Sequence, residues 1–256
     1  MLPSVLVKTL WDQRRSLGWW SLGLVAVYVL PYRQYLASGV VNNNTDSALY
    51  EALGYDATPP GYLQGTVFAL LGPLLVLMMA VSTGTRAVAG DEEAGTLDLL
   101  LAHPVSRTRL VLERFGALAA AVAWLGLVIW AATVAAVAAA DLGVGAGRIA
   151  AATAGLVLLA LDFGSVALAA GALSGRRGLT LGVAAAAALA AYLAWTLGPQ
   201  VQVLAGIDRW SPFSWYLGGD PLRHGLDHGH LALLAAVSLV MGGLALWSLN
   251  RRDITV

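Results

Sequence analysis

The stretch Ile149–Leu173, IAAATAGLVLLALDFGSVALAAGAL, carries one ionisable residue, Asp162, in a run of Ala, Leu, Val and Gly. About twenty apolar residues cross the hydrocarbon core of a bilayer as a helix. Inside lipid a helix satisfies its own backbone, which an isolated strand does not. The stretch therefore predicts a transmembrane helix. Working outward, five more segments meet the same criterion: Leu17–Leu36, Leu63–Thr83, Phe115–Ala140, Leu179–Leu197 and Leu231–Leu249. In the first of them Pro31 and Arg33 fall near the end, where an arginine snorkels to the interface. The prediction is an all-α integral membrane protein with six transmembrane helices. Composition agrees. Of the 256 residues 58% are hydrophobic and 12% charged, against about 25% charged in a soluble domain.

Orientation follows from the cationic residues, which concentrate on the cytoplasmic side of a membrane. Lys8, Arg14, Arg15, Arg86, Arg107, Arg109, Arg114, Arg176, Arg177, Arg251 and Arg252 fall on one side of the six segments. Arg33, Arg148, Arg209 and Arg223 fall on the other, so the fifteen cations divide eleven to four. Both termini are expected in the cytoplasm, in a multi-pass chain of the cytoplasmic (inner) membrane. Met1–Arg15 is mixed in polarity and lacks the short apolar core of a cleavable signal, so the first long apolar run is expected to stay as an anchor.

Several chemistries are excluded. Formal net charge is zero, which leaves no basic face for nucleic acid. There is no Cys, hence no disulfide and no thiolate metal site. Lys8 is the single lysine and no Gly-x-x-x-x-Gly-Lys-Ser/Thr surrounds it, so the chain has no phosphate-binding loop. Gly164-Ser165 lies at membrane depth, but all four His residues lie in predicted loops, so no base faces Ser165. A small-residue pair at a helix contact accounts for it. The chain is not expected to be an enzyme.

Between the second and third segments runs AGDEEAGTLDLLLAHPVSRTRLVLER, Ala89–Arg114. Asp91, Glu92 and Glu93 form an acidic cluster, and Thr96 is placed to cap a short helix through Leu97, Leu99, Leu100 and Leu101. Pro104 ends that helix, because the residue before a proline disfavours the helical region. Ser106 then caps the next helix, which carries Arg107, Arg109 and Arg114 into the third segment. Two readings fit a short amphipathic helix held between two spans. It lies in the interface among snorkelling arginines, or it docks in a groove of a partner.

The stretch Gly90–Arg107, with acidic residues, Gly95-Thr96-Leu97, a Leu run and Pro104-Val105-Ser106-Arg107, resembles the loop after the second span of ABC-2 type transporter permeases. The amphipathic start, six spans, Ser211-Pro212-Phe213 and the ending Arg251-Arg252-Asp253-Ile254 extend the resemblance over nearly the whole chain. It is closest to small single-domain bacterial or archaeal permeases, including those of copper-site maturation and sodium export. The resemblance implies a type V exporter-like fold forming one transmembrane domain over residues 1–256. Residues 1–16 would be an amphipathic interfacial helix, with Leu2, Val5, Leu6 and Leu10 as its lipid-facing stripe. Residues 84–114 would be the cytoplasmic coupling loop, with Asp91, Glu92, Glu93, Thr96, Leu97, Leu100 and Pro104 contacting an ATPase subunit. Residues 198–230 would hold short re-entrant elements, with Trp210, Trp215 and Tyr216 in an interfacial belt. The implied partners are a separate ATP-binding cassette subunit, a second copy of the permease and membrane lipid. ATP and Mg would bind the ATPase, and no cofactor this chain. Export is the direction that the resemblance to the family alone implies, and the importer loop is not matched at Glu93-Ala94. The alternative is a secondary transporter or channel that needs no ATPase.

Two further features stand out. His224, His228 and His230 lie with Asp220 and Asp227 in one outer loop, and His224 and His228 have i, i+4 spacing. They read either as a solvated loop or as imidazoles for zinc or copper. Asp162 is an intramembrane carboxylate, which must face the bundle or water. It reads as a structural partner of a hydroxyl or backbone group, or as a polar contact in the transport path.

Overall fold

The computed structural model describes residues 5–38, 58–93, 95, 106–201 and 206–251. These residues fold without a strand. The helices are α1 (Val5–Ser38), α2 (Pro59–Leu63), α3 (Gly72–Thr85), α4 (Asp91–Glu93), α5 (Arg107–Ala139), α6 (Ala146–Ser174), α7 (Arg177–Leu197), α8 (Pro212–Leu217), α9 (Pro221–His224) and α10 (His228–Arg251). Two π-helices, Gln64–Leu71 and Arg86–Gly90, flank α3.

Among the described residues, five helical stretches are long and apolar enough to cross a membrane: Val67–Gly90, Arg107–Ala139, Ala146–Ser174, Arg177–Leu197 and His228–Arg251. They match the second to sixth predicted segments; the second is shifted, starting at Val67 and not Leu63 and running on to Gly90, the third starts eight residues earlier at Arg107, and the last three are extended by one to three residues at one or both ends. The first segment differs. The expected interfacial helix and span form one uninterrupted helix, α1, which runs through Pro31. Its central part is less apolar because Gly18, Trp19, Trp20, Ser21, Gly23 and Tyr28 are interspersed among its aliphatic residues.

The central helix is α6, which packs against α3, α5, α7 and α10. Its buried residues include Ile149, Leu156, Leu159, Phe163 and Leu168, and its small residues let neighbours approach closely. At Gly84 of α3 an added Cβ would fall 2.2 Å from the Gly164 carbonyl oxygen, so only glycine fits that crossing. Gly175 ends α6 at φ 63°, and its N–H bonds the Gly171 carbonyl, as glycine's freedom at left-handed φ permits. At one end of the bundle meet the start of α1, the end of α3, the start of α5, the α6–α7 turn and the end of α10. Most of the arginines lie there, and this is called below the arginine-rich end. The opposite end holds residues 58–71, the α5–α6 turn and residues 206–230.

Candidate functional site

At the arginine-rich end α3 continues into the π-helix Arg86–Gly90, whose Ala87, Val88 and Ala89 are buried. The Ala89 methyl lies where a Cβ on Gly171 would come within 3.5 Å of it, so this turn is seated against the last turn of α6. Asp91–Glu93 follows as one helical turn, α4, and Gly95 ends it at φ 65° with its N–H bonded to the Glu92 carbonyl at 3.0 Å. The Glu93 carboxylate reaches across to the next hairpin. Its Oε1 accepts the backbone N–H of Arg177 at 2.8 Å. The first N–H groups of a helix lack intrahelical partners and sit at the positive end of its dipole, so an acid side chain is well placed there. Thr96, Leu97, Leu100 and Pro104, the rest of the expected coupling contacts, lie outside the described residues.

The start of α5 fastens two other helix ends to this face. Ser106 caps it, accepting the Arg109 N–H at 3.2 Å. Glu113 pairs with Arg109 at 2.7 Å through one carboxylate oxygen, and its other oxygen accepts the Leu6 N–H of α1 at 2.9 Å. Arg114 donates to the Thr9 hydroxyl at 3.1 Å, again in α1. Arg107 donates to the Leu249 carbonyl at 3.2 Å, a cation at the negative end of α10. The capping role of Ser106 and the run of helix through the arginines were legible in the sequence. The clasp of Glu113 on α1 was missed, although an acid four residues after Arg109 was a visible cue.

The opposite end is built around a ring cluster. Phe213 is buried on α8, stacked on Trp195 with centroids 6.2 Å apart and edge-on to Tyr192 at 5.4 Å, both on α7. Ser211 caps α8, and its hydroxyl donates to the Ala191 carbonyl at 2.7 Å. Tyr216, expected in an interfacial belt, is instead buried, and its hydroxyl donates to the Phe68 carbonyl in the first π-helix at 3.0 Å. Gly155 makes room for that ring, since a Cβ there would come 2.8 Å from it. Trp210 is 80% exposed, as a belt residue would be. Arg223 bonds the Thr58 hydroxyl at 3.1 Å and tethers residues 206–230 to the start of α2.

The histidines do not converge. His224 ends α9 and His228 begins α10, with a break at Gly225 that removes the shared helical face. His230 stands 3.2 Å from Asp227. The backbone N–H of His230 holds the Asp227 carboxyl below its ordinary range, whereas burial pushes that of Asp220 up. Among the described residues no three of His, Cys, Asp or Glu come together as metal ligands would.

Asp162 is 1% exposed, between α6 and α10. The Ser238 hydroxyl of α10 donates to its Oδ1, and among the described residues Oδ2 has no hydrogen-bond partner. Its carbonyl accepts the Ser165 hydroxyl at 2.8 Å. The geometry is that of a polar link between two packed helices. Ser238, a hydroxyl in an apolar helix, was readable as a partner only once the helices were paired.

A family model described as ABC-2 family transporter protein matches residues 5–254. No curated protein matches the chain.

Proposed function

The chain belongs to the ABC-2 family of transporter proteins, a multi-pass membrane permease, and from that premise we propose that it is the membrane half of an ATP-driven exporter. In this reading α1 is the sixth crossing, its first turns lie in the membrane interface, and both termini are cytoplasmic. Two copies of the chain form the pathway, and a separate ATP-binding subunit seats on each. The residues between α3 and α5 are the docking element, and ATP-driven closure of the ATPase pair moves them against the bundle.

The observation that carries the proposal is the anchoring of this loop. It leaves the bundle through a buried π-helix and a carboxylate bonded to α7, and re-enters through a capped helix clasped to α1 and α10. A loop held at both ends by the bundle transmits a push, whereas a loop lying free on lipid does not. The charge sequence agrees. Acidic residues at a surface of anionic headgroups are repelled, but against a basic partner they gain charge-assisted contacts and orient docking. A transporter or channel that works without an ATPase would draw on several intramembrane ionisable groups, and in this chain Asp162, bonded to Ser238 through one oxygen, is almost alone at that depth.

The test is retention of the ATPase. The tagged chain, expressed with its native partners, is expected to co-purify a P-loop ATPase. Glu92→Lys and Leu100→Asp are each expected to lower the amount retained at least several-fold while the permease still inserts. Native retention in both variants sinks the assignment of this loop.

A further inference from the structure

We infer that α7 is the rod that carries motion of the coupling loop to the opposite face of the membrane, and that Glu93 is its attachment at the arginine-rich end, a positioning residue and not a docking contact. The inference rests on the proposed function, and concerns what the loop pushes on once the ATPase has moved it.

Helix α7 is hydrogen-bonded to other elements near its two ends, and between them it packs on the bundle through one stripe, in which Ala184 is buried and Ala187, Ala188 and Ala191 are partly buried. Its buried residues are Thr180, near the start, and Ala184. Leu181, Val183, Leu189 and Leu193 are exposed along the rest. At the first end Glu93 Oε1 accepts the Arg177 N–H at 2.8 Å. The α6–α7 turn beside it is stiffened by hydroxyls. Ser174 Oγ lies 3.3 Å from Thr180 Oγ1, which donates to the Arg176 carbonyl at 2.9 Å. At the other end Tyr192 and Trp195 grip Phe213, and the Ala191 carbonyl takes the Ser211 hydroxyl, so α8 is fixed to the last turns of α7. At 1.5 Å per residue the rod is about 30 Å long. A helix resists compression along its axis, and packed helices slide past one another as units by small shear displacements. A displacement of α4 is therefore delivered to residues 206–217.

Sequence position hides this assignment. Glu93 stands in an acidic triplet and reads as one more docking charge, but its side chain points back to the bundle. Loss of Glu93 leaves the ATPase bound and breaks transmission.

The experiment uses the purified complex of this chain with its ATPase in lipid nanodiscs. The chain lacks Cys, so Trp210→Cys gives a single thiol at the opposite end, where its maleimide labelling rate is read with and without Mg-ATP and vanadate. With Glu93 intact the nucleotide is expected to change that rate several-fold. Glu93→Ala is expected to abolish the change with the ATPase still bound, and Glu93→Gln, which keeps an acceptor oxygen, to restore most of it. A full nucleotide response in Glu93→Ala overturns the inference and leaves the proposed function standing. So does release of the ATPase by Glu93→Ala, which would make Glu93 a docking residue. Failure of Glu93→Gln to restore the response also counts against it. If the chain with Glu93 intact holds no ATPase, both the inference and the proposed function fall.

Discussion

At the scale of single residues, the sequence marks where polarity must be explained but not what explains it. Asp162 stood out as a carboxylate among apolar residues, and the requirement that it face protein was legible. Ser238 as its partner was not, because the two belong to helices 76 positions apart whose rotation is set by packing. The link predicts a graded response. Asp162→Asn keeps an acceptor for Ser238 and is expected to preserve stability and assembly. Asp162→Leu strands the buried hydroxyl, which costs about 1–3 kcal/mol, and is expected to lower the thermal midpoint of the purified chain. A native midpoint in Asp162→Leu would show that the pair contributes nothing. Glu93 teaches the same lesson, since its bond to the Arg177 N–H spans 84 positions. No local pattern distinguishes it from Glu92.

At the scale of elements, the apolar runs located the five later spans, with ends displaced by up to eight residues. The cause is direct: lipid imposes a length and a composition on a crossing helix. What was missed depends on hydrogen-bond registers and on glycine contacts. The two π-helices beside α3 have no composition of their own, and α1 joins two segments read as separate. The close crossing of α3 and α6 is the sharpest test of the packing. Gly84→Ala drives a methyl into the Gly164 carbonyl region and is expected to destabilise the chain by about 1–3 kcal/mol. Gly182 on α7 has nothing within 4 Å of an added Cβ, so Gly182→Ala is expected to be neutral or stabilising through helix propensity, by up to about 1 kcal/mol. Detergent-solubilised melting curves compare the two, and equal midpoints would contradict the crossing.

At the scale of the whole molecule, the sequence supplied the family resemblance and an orientation from charge. The structure adds how one end is tied together, with α5 clasping α1 and α10 while Glu93 joins the loop to α7. Orientation is tested on the native cysteine-free background. In intact cells Leu226→Cys is expected to react with an impermeant thiol reagent and Arg176→Cys only after lysis, and the reverse pattern would invert the topology. The central claim, proposed from family membership, is that this permease is driven by ATP hydrolysed on a separate subunit. The most direct measurement is ATP hydrolysis by material purified from native membranes through a tag on this chain. The account predicts vanadate-sensitive hydrolysis that travels with a co-purified P-loop subunit and is lost when Glu92→Lys and Leu100→Asp are combined. A folded permease that moves its substrate in sealed vesicles with no such subunit and no ATP would contradict it.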